Sequence, residues 1–221
     1  MDDQVFFADG FGLLAKGGPV MAVLLVLSVV ALTIVFAKVV HFARSQLRRT
    51  RFVDRAAERL FAGEMRQALS VLGESRNPVA RVMEVAIDLS GRPGLSPDDR
   101  NARIGRVGAA EIRNLESFLG GLEVIANISP LLGLLGTVFG MIEAFANLEG
   151  AGTKVDPTLL AGGIWEALLT TAFGLSVAIP ALGAFYLLEG RVEKVRAAMK
   201  DAATRVLEAT GPDQPQPAVG G

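Results

Sequence analysis

A chain of 221 residues with 51% apolar side chains and a mean hydropathy of +0.41 is long enough for one domain and too apolar for an ordinary soluble one, which points to a membrane protein. Lys and Arg total 22 against 23 Asp and Glu, for a net charge of -1, so the basic footprint of a nucleic-acid binder is missing and no nucleic-acid partner is expected. With no Cys and a single His, His41, the chain is denied thiolate nucleophiles, disulfides, iron–sulfur clusters and structural zinc; no metal and no cofactor is expected.

The first 18 residues carry Asp2, Asp3 and Asp9 where a secretory leader would carry basic residues. The apolar run behind them is longer than a leader's core, so it reads as an uncleaved anchor preceded by a periplasmic segment. Uncharged apolar runs near the ~20 residues that a bilayer core requires occur at 19–40, 124–148 and 159–188. Gly17, Gly18 and Pro19 open the first, proline being suited to a first helical turn. Its 22 residues reach about 33 Å, and Lys38 near the far end is expected to snorkel to the headgroups. The second run contains Asn127, Glu143 and Asn147, and the third contains Glu166.

Basic residues set the orientation, because the side richer in Lys and Arg stays in the cytoplasm. One lies before Pro19 (Lys16), 14 lie between Arg44 and Arg113, one lies between the last two runs (Lys154), and five follow from Arg191. The chain is therefore expected to start in the periplasm, to hold 41–123 in the cytoplasm, to return to the periplasm at 149–158 and to end in the cytoplasm.

Region 41–123 has mixed charge and apolar side chains at helical spacing, such as Val53, Ala57, Leu60, Phe61, Ala68 and Leu72. Helices are expected there. After the break at Ser90-Gly91-Arg92-Pro93-Gly94, the run Ser96-Pro97-Asp98-Asp99 is a helix start: a capping serine, a first-turn proline and acids against the macrodipole. No proline follows Pro97 before Pro130, which predicts one helix running from the cytoplasm straight into the second span. The third span is expected to continue as a cytoplasmic extension over 189–210, and the tail 211–221, with three Pro and no aromatic residue, to be disordered. The expected fold is thus an all-α membrane protein, three transmembrane helices with long helical extensions into the cytoplasm.

Gly136 and Gly140 stand four apart, the small-xxx-small spacing that lets helices approach closely in lipid. Gly133 with Thr137 and Gly140 with Ala144 repeat it on neighbouring faces, and Thr170, Gly174 and Ala178 form a second row on the third span. Close helix packing without any chemistry accounts for such glycines by themselves. Glu166 is different: seven residues after Leu159, it lies about 10 Å inside the span, where a carboxylate costs on the order of 3 kcal/mol. Either it is protonated and hydrogen-bonds a neighbouring helix, or it is an ion or proton site, the default for an intramembrane acid.

Thr137 stands 11 residues before Leu148 and Thr171 stands 12 after Leu159, so both hydroxyls fall about 16–18 Å below the outer boundary. Thr170 shares the face of Glu166, whereas Thr171 lies about 140° around the helix. Glu166, Thr170, Thr171 and Thr137 make a polar stripe able to line a wet path, although threonines in spans also simply bond the backbone one turn back. Pro130 and Pro180 free backbone carbonyls in mid-span, which bends helices or adds polar groups to a cavity. His41 reads as an interfacial residue, and the sequon at Asn127 falls within a span. No phosphate loop, HExxH, GxSxG or paired-carboxylate motif is present, so no enzyme is expected.

The runs Ile128-Ser129-Pro130-Leu131-Leu132-Gly133-Leu134-Leu135-Gly136-Thr137-Val138-Phe139-Gly140-Met141-Ile142 and Gly163-Ile164-Trp165-Glu166-Ala167-Leu168-Leu169-Thr170-Thr171-Ala172-Phe173-Gly174-Leu175, the latter continuing to Pro180, resemble the signature of the MotA/TolQ/ExbB proton-channel family, most closely its ExbB/TolQ branch. The resemblance covers about 108–195. It implies an inner-membrane complex of Gram-negative bacteria in which a homopentamer encloses the single span of an ExbD- or TolR-like partner bearing an essential Asp. Proton flow past that Asp would drive a TonB- or TolA-like protein that spans the periplasm. By motif position, Thr137, Glu166 and Thr171 match the family's pore-lining polar residues. The sequence departs at Trp165 and Thr170, where relatives usually have Ala, and at Glu143, where they have other polar residues. A flagellar MotA-type stator fits less well, since that branch has four spans and this chain has three.

Three readings stay open at this level. The chain is a stator subunit that harvests proton-motive force to energise TonB-dependent transport, or a TolQ-like subunit of the Tol-Pal envelope system. Alternatively it is a non-conducting membrane scaffold whose glycine rows serve packing alone. A solute transporter is disfavoured, because three spans without inverted halves give no midplane site within one chain.

Overall fold

The structure, a computed structural model, describes residues 18–45, 47, 51–150 and 157–210. The expectations for residues 1–17, for the interior of the 149–158 loop and for the tail 211–221 fall outside the described residues. All regular structure among the described residues is helical: α1 (Gly18–Arg44), α2 (Arg51–Phe61), α3 (Met65–Gly73), α4 (Pro78–Ser90), α5 (Pro97–Glu116), α6 (Leu119–Gly150) and α7 (Pro157–Thr210). Three of them, α1, α6 and α7, are long and apolar enough to cross a membrane. They contain the three apolar runs of the sequence, and α7 continues unbroken to Thr210.

The chain forms two units, one of residues up to Ala37 with Phe118–Leu187, the other of Lys38–Ser117 with the residues from Leu188 onward. The first, the membrane unit, holds most of α1, α6 and the first part of α7. Its α1 buries Met21, Leu24 and Ala31 while Val26, Val29, Leu32 and Phe36 remain exposed. Such a one-sided burial is what a helix needs when lipid is its solvent. Along α6 and α7 the packing is tighter, as described below.

The second unit is built like a soluble helical domain. Asn77 caps α4 by accepting a hydrogen bond from the Val79 amide at 3.0 Å, with Pro78 in the first turn. Ser96 caps α5, accepting from the Asp99 amide at 3.1 Å, with Pro97, Asp98 and Asp99 in the first turn, the start that the sequence predicted. Gly63 and Gly94 take φ of +76° and +82° between helices, a backbone region open to glycine at no steric cost. The core is formed by Val82, Met83, Ala86 and Ile87 of α4, Ile104, Ile112 and Leu115 of α5, Leu60 of α2 and Leu72 of α3. From α7 it takes Leu188, Val192, Val195, Met199, Ala202, Val206 and Ala209, an alternating three-and-four spacing that keeps one stripe of the helix inward. Pairs such as Arg205–Asp54 and Arg81–Glu111, both at 3.1 Å, sit on the rim of this core, where each contributes under about 1 kcal/mol.

Two expectations are corrected here. The helix from Pro97 does not run into the second span: α5 stops at Glu116, Ser117 is extended, and Phe118 adopts φ of +64° before α6 starts. Neither residue of the break is a proline or a glycine, although Gly120 and Gly121 follow in the first turn of α6. A left-handed conformation is uncommon for a bulky residue and costs about 1–2 kcal/mol, so tertiary contacts must hold it. One such contact is the second correction. Lys38 does not reach for headgroups; it is 4% exposed, and its Nζ donates to the Leu115 carbonyl at 2.9 Å and to Ser117 Oγ at 3.0 Å. The ammonium thereby satisfies a carbonyl left open where α5 ends, at the negative pole of that helix. Ser117 adds a hydrogen bond from its hydroxyl to the Asn114 carbonyl at 2.8 Å.

Candidate functional site

Every residue that the sequence singled out for function lies on α6 or α7 within the membrane unit. The two helices meet through their small residues. A Cβ placed on Gly174 would stand 2.6 Å from the Ser129 carbonyl and 3.1 Å from Gly133 Cα. One on Gly133 would stand 3.0 Å from the Thr170 carbonyl and from Thr171 Cα. Gly136 faces Thr170, with 2.7 Å to its Cβ; Gly140 faces Ala167 at 3.0 Å; Gly163 faces Ala144 at 2.6 Å. Partners rise in number along α6 as they fall along α7, so the helices are antiparallel. At Gly136, Gly163 and Gly174 any side chain would force a neighbour to shift, and at Gly133 and Gly140 the approach is tight enough that a neighbour must give way slightly.

This seam absorbs the expected glycine rows. Gly133, Gly136, Gly140 and Ala144 all face α7, and Thr170, Gly174 and Ala178 are buried on the opposing face. The sequence reading missed Gly163, Ala167 and Ser129, whose carbonyl is the contact for Gly174. Ser129 is fully buried, its hydroxyl donating to the Ile125 carbonyl at 2.7 Å. Pro130 and Pro180 both lie inside continuous helices, Pro130 half-buried and Pro180 exposed.

The expected polar stripe divides. Thr170 is 3% exposed inside the seam, its hydroxyl donating to the Ala167 carbonyl at 2.7 Å and lying 3.3 Å from the Gly133 carbonyl. There it packs the two helices together rather than opening on a path. Thr171 is half-buried and donates across the seam to the same Gly133 carbonyl at 3.0 Å. In a regular helix that carbonyl also accepts the amide of Thr137, four residues on. The hydroxyls of Thr170 and Thr171 and the amide of Thr137, from two helices, thus converge on one backbone oxygen. The Thr137 hydroxyl donates to the Leu134 carbonyl at 2.6 Å, and the residue borders an open groove of about 580 Å³ shared with Val138, Met141, Ile142, Phe145 and Glu149.

Glu166 sits one residue before Ala167, at the rim of the seam. It is half-buried and makes no hydrogen bond or ion pair among the described residues. Trp165 beside it is 63% exposed, and Glu143 is exposed one turn from Gly140. The arrangement therefore offers a close-packed two-helix wall with two half-buried threonines beside it, and a half-buried carboxylate with no partner among the described residues. Such a wall can present an acid and hydroxyls to a third helix, and can pass a proton along them.

The chain is similar in sequence to known proteins. The sequence profile of the MotA/TolQ/ExbB proton channel family matches residues 39–201. The chain is 28% identical over 190 residues to a protein of Methanothermobacter thermautotrophicus named putative biopolymer transport protein ExbB homolog, covering 85% of this chain and 66% of that one. It is 32% identical over 202 residues to the biopolymer transport protein ExbB of Salmonella typhimurium, covering 85% of this chain and 79% of that one. A shorter match, 44% identical over 85 residues, joins it to the Tol-Pal system protein TolQ of Haemophilus influenzae, over 38% of this chain and 37% of that one. The family match reaches both sides of the glycine seam and most of the second unit, and on it the conclusion rests: this chain is a membrane protein belonging to the MotA/TolQ/ExbB proton channel family.

Proposed function

We propose that the chain is a stator subunit that harvests proton-motive force in the inner membrane and passes the work to a TonB-like protein spanning the periplasm. The observation that carries the reading is Glu166, a half-buried acid in a membrane helix with no hydrogen-bond or ion-pair partner among the described residues, fixed beside the close-packed glycine seam. A carboxylate in that position costs several kcal/mol unless a second protein or a proton meets it, and one charge crossing 100 mV returns about 2.3 kcal/mol. A few protons are then enough to shift a packing equilibrium between two states.

Thr137, Thr171 and Glu166 line the path; Thr170 supports it from within the seam. The exposed apolar face of α6, with Leu134, Val138, Phe139 and Ile142, supports assembly with further copies, here read as five, around the single span of an ExbD- or TolR-like partner. The 14 basic residues between Arg44 and Arg113 support a cytoplasmic second unit and a periplasmic start of the chain.

The test is Glu166→Ala in cells that depend on this chain. Energised uptake should be abolished while the complex still assembles, and full retained activity would remove Glu166 from the mechanism. The match to TolQ favours a second reading, service in a Tol-Pal envelope system; there the same variant leaks periplasmic protein and leaves uptake intact. A purely structural scaffold predicts the opposite pattern, with Gly136→Leu ruinous and Glu166→Gln harmless.

A further inference from the structure

Within the second unit, the end of α1 with Leu47 just beyond it, Val79 of α4 and the stretch of α7 after Leu188 line a partly open cavity of about 610 Å³. Val39, Phe42, Leu47 and Val195 give it an apolar wall, and Arg191 and Lys194 stand over that wall. Its size is that of a small-molecule site. Both cations are exposed and neither makes a hydrogen bond or ion pair among the described residues. Their neighbours on the same helix differ. Arg196 is held by Glu116 and Glu193, and Arg205 by Asp54 and Asp201. No acid is among the described residues of the lining, and Glu193, the acid nearest to Lys194 on α7, is occupied by Arg196 at 3.0 Å. The cavity therefore combines apolar surface with two uncompensated positive charges.

Its place along both helices adds the second argument. On α1 it begins where the apolar run gives way to Lys38, His41 and Arg44; on α7 it begins three residues after Leu188, where the third apolar run ends. Both helices thus leave the hydrocarbon at this level. An occupant must place an anion against Arg191 and Lys194 while laying aliphatic surface on Phe42 and Val39. A soluble phosphate satisfies only the first requirement and a neutral lipid only the second. We infer that this cavity binds the headgroup of an anionic phospholipid, with the phosphate between Arg191 and Lys194 and the start of an acyl chain along the end of α1.

The experiment uses the full-length protein, with the subunits it purifies with, stripped of lipid in neutral detergent. Phosphatidylglycerol, phosphatidylcholine with the same chains, and glycerol 3-phosphate are each titrated in while thermal unfolding is followed. Phosphatidylglycerol should raise the midpoint by about 5 °C more than phosphatidylcholine, and glycerol 3-phosphate alone should do nothing. The double variant Arg191→Gln with Lys194→Gln should lose that excess, whereas Arg191→Lys with Lys194→Arg keeps it. Equal shifts from the two lipids, a full shift from glycerol 3-phosphate, or an undiminished excess in the glutamine variant would each overturn the inference. A photoactivatable phosphatidylglycerol on the unmutated protein gives a test free of folding effects: label should land in 38–47 and 188–198, and label confined to other segments would overturn it.

Discussion

One helix, α7, is packed by two different rules. In the membrane unit the face that α7 turns to α6 reads Gly163, Ala167, Thr170 and Gly174, with Val177, Ala178, Ala181 and Phe185 buried beyond it; in the second unit its buried face reads Leu188, Val192, Val195, Met199, Ala202, Val206 and Ala209. The periodicity barely changes between the two, but the size of the side chains does. In lipid, apolar side chains gain nothing by leaving their solvent, so the helices are held by close backbone approach and by hydroxyls donated to carbonyls. In water, burial of larger apolar groups supplies the drive, at about 25 cal/mol per Å². The lesson is that the stripe must be kept small along the glycine seam and well filled in the second unit, and errors of opposite sign should damage each.

Enlarging the seam is the severest way to break that contrast. Gly174→Leu would drive a side chain into the Ser129 carbonyl and the Gly133 backbone, neither of which can swing aside as a side chain can. A loss of about 3 kcal/mol or more is expected, seen as failure to recover folded protein from membranes; wild-type yield and melting would refute the rigidity of the seam. In the second unit the damaging change is a reduction. Val206→Ala empties a fully buried site and should cost about 2 kcal/mol, read as a lower denaturant midpoint with an unchanged slope. An equal cost for Ala178→Gly would blur the distinction between the two halves. Smallest is Lys38→Met, which keeps the apolar stem and leaves the Leu115 carbonyl without its donor. About 1–2 kcal/mol is expected, together with faster amide exchange over residues 115–121, and exchange as slow as in the parent would show that Lys38 does not hold the break.

Much of this was legible in the sequence, for physical reasons. Three apolar runs give three helices of membrane length, and Ser96-Pro97-Asp98-Asp99 gives the start of α5 because the cap is a local hydrogen bond. The glycine rows point to the seam because only small residues permit it. The break at Ser117–Phe118 was not legible: the left-handed residue is a phenylalanine, and the contact that stabilises the turn comes from Lys38, nearly eighty positions away. The same distance problem hid Gly163 against Ala144, and misplaced Thr170 on an open stripe when Gly136 encloses it. Glu166 was found because a charge in an apolar run is conspicuous whatever the fold. Its lack of a partner among the described residues is visible only in three dimensions.

That lack is the centre of the functional reading, and proton flux tests it most directly. The complex purified through this chain is placed in vesicles of defined lipid with a pH-sensitive dye inside, and an inward-negative potential is imposed with potassium and valinomycin. The account predicts that acidification of the lumen seen with the parent protein falls at least tenfold with Glu166→Gln, while the subunit composition stays the same. Undiminished flux through the glutamine variant would contradict it.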